Sequence, residues 1–272
     1  MARGERCVST VIGAVSSRSA SLRGIAPTGR VGCATVDVKE MHVVVTGAGT
    51  GIGRAIAARL VAEGARVSAL ARDASRLDVG EAHACDIRSR NEVDAVFARI
   101  GPVDALVANA GIGGPNDPGA DDRFEDLVAT NLTGTYWCAR AAQRAGAHHL
   151  VVIASILARI GVPGYTGYCA SKAGLLGLVR AFAAELGADG VQVNAICPGW
   201  VNTDMAWEGI DGFAEAIGGT REEAYAEAMK AVPLGRMSEP EDIAGTVRWL
   251  LSADARGVTG QAIDQNGGAF ML

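Results

Sequence analysis

The sequence predicts an α/β domain, a doubly wound parallel sheet of about seven strands with helices on both faces. Three observations carry this. Short apolar runs alternate with longer helical stretches from Met41 to the end of the chain. The runs are continuously apolar, as in Leu150-Val-Val-Ile153, which suits a sheet buried on both faces. Neither a linker nor a fixed-period repeat breaks the alternation, so 41–272 reads as one domain.

The strands are expected at 42–46, 66–71, 81–85, 104–108, 149–154, 191–196 and 261–264. The helices are expected at about 52–63, 88–99, 123–146, 166–187 and 239–252. The stretch 199–231 interrupts the rhythm. It has a helical pattern, carries Trp200, Met205, Trp207 and Phe213, and follows a strand's C-terminal end, where insertions form lids. Residues 1–40 differ from the rest, because Cys7 to Val36 holds arginines and small residues but no acid. That composition admits a targeting segment. An unstructured extension from an early start codon is the preferred reading, with little packed structure before about residue 40.

Composition narrows the function classes. The 272 residues are 49% apolar and 20% charged, with a net charge of −5. No long basic run is present, so neither nucleic acid nor an anionic membrane surface is an expected partner. No apolar stretch reaches the ~18 residues of a membrane span. The six cysteines (Cys7, Cys33, Cys85, Cys138, Cys169, Cys197) form no CxxC pair, which argues against a disulfide framework or a zinc site and for a reducing, cytoplasmic location. The adjacent His148 and His149 are a poor chelate, since strand neighbours point to opposite faces, and they read as a solvated loop.

The first strand runs into Thr46-Gly-Ala-Gly-Thr-Gly-Ile-Gly53 and then a helix. Glycines let a backbone turn sharply and approach a pyrophosphate, and the helix N-terminus offers free N–H groups to it. The position between strand and helix in the first βαβ unit makes Gly47, Gly49, Thr50, Gly51, Ile52 and Gly53 a candidate dinucleotide loop, and the fold Rossmann-type. About 20 residues past the glycines an acid would hold the ribose 2′-hydroxyl of NAD. This chain has Ala71-Arg72 there. Arg72 can pair bidentately with a 2′-phosphate, which favours NADP(H) over NAD(H). Asp73 follows directly and is the alternative ribose partner.

Lysine is scarce, three residues against 22 arginines, so a well-placed lysine carries weight. Tyr168 and Lys172 stand four residues apart in a predicted helix and share a face. A nearby ammonium favours a phenolate, so the pair suits proton transfer to or from a carbonyl or alcohol oxygen. Ser155, at the end of strand 149–154, can hydrogen-bond the same oxygen. Tyr165 lies about 10 Å further along a helix from Lys172 and is the weaker partner. After Pro198-Gly199, the aromatic and thioether residues suit an apolar or bulky carbonyl substrate, and equally suit a lid's own core.

Together these residues resemble the short-chain dehydrogenase/reductase family over about 42–270. The likeness rests on Thr46-Gly-x-x-x-Gly-x-Gly53, Asp86, Asn109-Ala110-Gly111, Asn131 in Asn-Leu-Thr-Gly134, Ser155, Tyr168-x-x-x-Lys172 and Pro198-Gly199. It implies a catalytic tetrad in which Tyr168 is the general acid/base, Ser155 positions the substrate oxygen, Lys172 binds the nicotinamide ribose and lowers the tyrosine pKa, and Asn131 holds a relay water. It further implies that Asp86, beside Ile87, meets the adenine, that Asn109 stabilises the central strand, and that Val201 and Thr203 approach the nicotinamide. The chain departs from the family at Ala108, at Gln265-Asn266-Gly-Gly268, and at Thr50, where many NADP-preferring members carry a base. Pro233-Leu-Gly-Arg236 is similar to 3-oxoacyl thioester reductases and polyketide ketoreductases. The family implies a homotetramer or homodimer through the long helices, whose Ala173, Gly174 and Gly177 permit close approach. An NAD-dependent alcohol or diol dehydrogenase and a non-catalytic dinucleotide sensor are the alternatives; a sensor has no use for the tetrad.

Overall fold

The computed structural model describes residues 37–116, 118–119 and 122–271. Seven parallel strands form one sheet in the order β3-β2-β1-β4-β5-β6-β7. They are β1 His42–Thr46, β2 Arg66–Ala71, β3 Glu81–Ala84, β4 Ala105–Ala108, β5 His149–Ile153, β6 Gln192–Pro198 and β7 Ala262–Gln265. The continuous apolar runs sit in the middle: every residue of β1 and β4 is buried. The edge strand β3, Glu81-Ala-His-Ala84, is mostly exposed, as its mixed composition allows. Strand order reverses between β1 and β4, the two neighbours of the topological switch point, so the crevice of such a sheet opens at their C-terminal ends.

The helices are α1 Gly51–Ala62, α2 Arg90–Ile100, α3 Phe124–Val128, α4 Thr135–Arg144, α5 Thr166–Leu186, α6 Asp204–Ile217, α7 Arg221–Lys230 and α8 Pro240–Leu250. One core layer joins α2, α4 and α5 to the sheet through residues such as Val93, Phe97, Leu106, Leu150, Leu175 and Phe182. The opposite layer joins α1 and α8 through Ile56, Leu60, Val45, Val107, Ile243 and Leu250. A third, smaller core lies within 199–231 and its continuation, around Ile210, Ala224, Met229 and Val232.

Two expectations change, at 123–146 and at His149. The single helix at 123–146 is three pieces, because Ala129–Gly134 between α3 and α4 is a π-helical turn. The side chain of Asn131 in this turn binds the backbone of Ile112, and Gly134 lets the turn press on Ile87, where an added Cβ would lie 2.8 Å from Cδ1. The stretch 199–231, expected to be helical in pattern, holds two helices, α6 and α7. His149 begins β5 and is half-buried, with Nδ1 lacking a partner, while His148 is exposed. Val38, in a 3-10 turn at Val38–Glu40, is 3% exposed and belongs to the core, so packing starts slightly before residue 40. The expectation for 1–36 lies outside the described residues. Among the described residues no helix is long and apolar enough to cross a membrane.

Candidate active site

The glycine loop is fastened to β4 before it meets any ligand. Thr46, the last residue of β1, accepts hydrogen bonds at Oγ1 from the backbone N–H groups of Asn109 and Ala110, both 3.0 Å. Asn109 returns two from Nδ2, to the carbonyls of Thr46 (3.0 Å) and Gly47 (3.1 Å). The loop then passes so close to this clamp that only glycine fits. Gly47 has φ +67°, and a Cβ on Gly53 would lie 2.2 Å from the Gly47 carbonyl oxygen and 2.4 Å from Asn109 Nδ2. Thr50 precedes α1 without a side-chain cap, which leaves the first-turn N–H groups of Gly51, Ile52 and Gly53 open. Such a glycine cradle at a helix N-terminus has the shape and polarity for a pyrophosphate.

The crevice beside it is lined by Gly47, Gly49, Thr50, Arg72, Asp86 and Ile87, and on its other wall by Ala110, Gly111 and Ile112. Arg72 is exposed at its rim and makes no ion pair among the described residues. Asp73 lines the same crevice; its Oδ1 accepts the backbone N–H and the hydroxyl of Ser75, capping a 3-10 turn, and these bonds hold its pKa below the usual carboxylate range. Asp86 follows β3 and is gripped by Arg88 through Nε and the terminal nitrogen (2.7 Å), so its carboxylate is also held ionised. Arg76 borders the same crevice, its Cβ 3.4 Å from where a Cβ on Gly49 would be.

The four tetrad positions converge at the C-terminal ends of β4 and β5. Ser155 leaves β5 and caps the turn Ile156–Ala158, accepting the N–H of Leu157 at 3.1 Å. Tyr168 stands in the first turn of α5 and Lys172 one turn later. Lys172 is buried, and Nζ donates to the carbonyl of Ile153 at 2.9 Å. Asn131 is buried in the π turn; Oδ1 accepts the N–H of Ile112 (2.8 Å), and Nδ2 donates to the carbonyl of Ile112 and to Ser171 Oγ, both 3.0 Å. Gly111 joins this group to the cofactor crevice, because a Cβ there would lie 3.1 Å from Asn131 Oδ1 and 3.6 Å from Lys172 Nζ.

One chemical expectation needs correction. Tyr168 is not lowered by Lys172. Burial pushes the phenol up, and the Ser155 hydroxyl pulls it partly back. Burial brings Lys172 itself down to about 8, which weakens it as a fixed charge, and Nζ lies 5.7 Å from the Tyr168 ring centroid. Both Nδ2 hydrogens of Asn131 are committed to protein partners and Oδ1 accepts one bond, while the backbone carbonyl accepts Thr135 Oγ1 at 2.8 Å, so acceptor capacity for a water remains at the two oxygens.

The segment after β6 closes the other side. Pro198 pairs with Gln265 of β7, and Gly199 passes Asn266 so closely that a Cβ would lie 2.9 Å from that residue's Cβ. Val201 is buried in the core, and Thr203 caps α6 with its methyl near Gly51. Trp207 stacks on Tyr225 at 5.6 Å and donates from Nε1 to Asn202, while Trp200 packs on Gly209. Both tryptophans therefore serve the lid's own core. Met205 alone of the three reaches out, 46% exposed, against Gly113.

The crevice thus gathers Gly47, Gly49, Thr50, Arg72, Asp86, Ile87, Ala110 and Gly111, whereas Thr46, Asn109, Gly53, Pro198, Gly199 and Val201 act as its frame and Ile52 packs on the core. Sequence reading missed Ser171, fully buried between Asn131 Nδ2 and the carbonyl of Tyr168. Its place beside Lys172 was the available signal. It also missed Arg159, whose ion pair with Asp264 (3.2 Å) ties the Ser155 loop to β7 across 105 positions, which no local pattern reveals.

Residues 47–269 match a family model described as enoyl-(acyl carrier protein) reductase. The solved structure of a variant of actinorhodin polyketide ketoreductase with NADPH superposes with a TM-score of 0.80 at 37% identity, covering 85% of this chain and 98% of that one. A 3-oxoacyl-[acyl-carrier-protein] reductase of Staphylococcus epidermidis is 34% identical over 252 residues, 84% of this chain and 98% of its own length. A (3R)-3-hydroxyacyl-CoA dehydrogenase of Mus musculus is 34% identical over 269 residues, 86% and 98% of the two chains.

Proposed function

The chain belongs to the short-chain dehydrogenase/reductase family and is a nicotinamide-dependent oxidoreductase, and from that premise we propose that it reduces a ketone, in particular a 3-oxoacyl thioester or polyketide carbonyl, with NADPH. The observation that carries this is the junction at Gly111, which lines the crevice and lies against Asn131 and Lys172, with Tyr168 one turn before Lys172 on the same helix. The reduced nicotinamide, when bound, supplies the hydride. The carbonyl oxygen takes its proton from Tyr168, while the Ser155 hydroxyl donates a hydrogen bond that holds that oxygen in place. A phenol kept protonated by burial is the right starting state for an acid, and Ser155 partly offsets that rise. Lys172, brought down to about 8, exchanges protons near neutrality and can resupply Tyr168. Its Nζ lies next to Gly111 of the crevice, which supports the reading that it binds the nicotinamide ribose. The backbone carbonyl of Asn131 is the acceptor for a relay water.

Arg72 supports NADP(H), since it is uncommitted at the rim; Asp73 lines the same crevice with Oδ1 bonded to Ser75 and remains the alternative ribose partner. Asp86 and Ile87, which line the crevice, are the proposed adenine contacts, and Thr203, beside Gly51, and Val201 are the proposed nicotinamide-side residues. Met205 gives the substrate an apolar, movable contact. A homotetramer or homodimer through α4 and α5 is the proposed assembly. Within it Gly177 leaves open space for a neighbouring helix, whereas Gly174 is used inside the chain, against Leu132. The test is turnover of acetoacetyl-coenzyme A followed by loss of NADPH absorbance. Tyr168→Phe is expected to abolish it with cofactor binding nearly intact. Arg72→Ala is expected to weaken NADPH about tenfold, as loss of a charge-assisted bond does, and to leave NADH unchanged. A wild-type preference for NADH overturns the cofactor reading and favours the alcohol or diol dehydrogenase.

A further inference from the structure

Helix α5 carries Tyr168 but begins without a cap of its own. Its N-cap residue, Tyr165, makes no side-chain bond to the first turn. The first intrahelical bond runs from the N–H of Cys169 to the carbonyl of Tyr165, so the N–H groups of Thr166, Gly167 and Tyr168 have no helical acceptor. The reacting tyrosine thus sits at the third position of a turn that would fray if left alone.

Asn116 supplies what is missing from 51 positions away. It is 5% exposed, and its Oδ1 accepts the N–H of Gly167 at 2.8 Å, the bond a local cap side chain would make to the second helical residue. Its amide also meets Thr166 Oγ1 at 3.0 Å and donates to Asp122 Oδ1 at 3.0 Å, and its backbone N–H donates to the carbonyl of Gly164 at 2.8 Å. Gly167 makes the approach possible, because a Cβ there would meet Leu127, Phe124 and Asn116 at 3.0–3.2 Å. Asp122 is itself fixed by accepting the N–H of Phe124 at 2.9 Å. The same loop bears Gly113, against which Met205 of the lid rests.

We propose that Asn116 is a positioning residue for turnover: it caps the catalytic helix from outside and so fixes the Tyr168 hydroxyl relative to Ser155 and the substrate-side loop. The proposal rests on the reading of Tyr168 as the proton donor. A displacement of about 1 Å in a reacting group costs roughly a hundredfold in rate, so a cap that holds the first turn acts on kcat more than on binding.

The experiment compares the full chain with Asn116→Ala and with the double variant Asn116→Asp, Asp122→Asn, which keeps an acceptor for Gly167 and sets an amide donor opposite the new carboxylate, giving up only the Phe124 N–H bond that Asp122 Oδ1 also accepts. Turnover of acetoacetyl-coenzyme A, the dissociation constant for NADPH, and hydrogen exchange at the Gly167 and Tyr168 amides are measured for each. For Asn116→Ala the expected results are kcat lowered roughly ten- to a hundredfold, KM and NADPH affinity within about twofold, and exchange about tenfold faster at those amides. The double variant is expected to recover both kcat and protection. The proposal is overturned by wild-type kcat in Asn116→Ala, by unchanged exchange at Gly167, or by a folded, NADPH-binding double variant that recovers neither. Should Asn116→Ala not fold, the double variant against the wild type decides alone. An active Tyr168→Phe enzyme overturns the proton reading, and the turnover half of this proposal with it, while exchange at Gly167 still reports the cap.

Discussion

Replacing Gly53 with alanine sets a local gain against a tertiary loss. Gly53 is the third residue of α1, where alanine has a helix preference about 1 kcal/mol better than glycine. The added methyl would stand 2.2 Å from the Gly47 carbonyl oxygen and 2.4 Å from Asn109 Nδ2. Neither neighbour is a flexible tip: one is backbone in a loop at φ +67°, and the other is pinned by its two bonds at 3.0 and 3.1 Å. Forcing an extra carbon into such a site costs about 1–3 kcal/mol in strain, and displacing Asn109 gives up two hydrogen bonds of about 1 kcal/mol each. The loss exceeds the gain by about 2–4 kcal/mol, which lowers Tm by roughly 5–15 °C in a domain of this size. Dinucleotide affinity should fall as well, since the glycine cradle moves. Thermal unfolding and NADPH titration of Gly53→Ala measure both. Gly245→Ala in α8 is the control: nothing lies within 4 Å of its added carbon, so it should stabilise by about 0.5–1 kcal/mol. Equal melting of Gly53→Ala and wild type, with unimpaired NADPH binding, would refute the account of the loop.

Two further outcomes follow from the same geometry. Thr46→Val keeps shape but removes the acceptor shared by the N–H groups of Asn109 and Ala110; stranding two partly buried donors should cost about 2–4 kcal/mol in denaturant unfolding, whereas Thr46→Ser should cost under about 1 kcal/mol. Lys172 has a folded pKa near 8 against 10.5 as its ordinary value, so below pH 8 both states hold the proton and the burial penalty is complete. Between about 8 and 10.5 the unfolded chain holds a proton that the folded one has lost, and stability rises with pH. The wild-type stability relative to Lys172→Met should therefore climb by about 3 kcal/mol across that window, and a flat difference would show that the ammonium is not desolvated.

Much of the fold was legible because parallel strands buried on both faces leave uninterrupted apolar runs, and each run named in β1, β4 and β5 is a strand at nearly the expected bounds. The candidate site was legible for a related reason. Glycine loops and a Tyr-x-x-x-Lys pair are local patterns, and α5 holds Tyr168 and Lys172 one turn apart as their spacing required. The break in the helix at 123–146 was not legible, because its cause is Asn131 bonding to Ile112, 19 positions earlier. The division of labour among Trp200, Met205 and Trp207 was equally hidden, since aromatic residues that fill a lid and those that face a substrate look the same in one dimension.

By itself, then, the sequence determined the alternation of strand and helix, the glycine cradle and the placing of Tyr168 and Lys172 one turn apart on one helix, all features set by periodicity or by contacts within one or two turns. Only the tertiary structure decided that Arg72 makes no ion pair among the described residues, that Tyr168 is raised by burial, and that Asn116 caps the helix that carries Tyr168. The physical reason is that charge state and orientation depend on which groups surround a side chain in space. Folding brings Asn116 to Gly167 from 51 positions away, a distance the chain order does not encode.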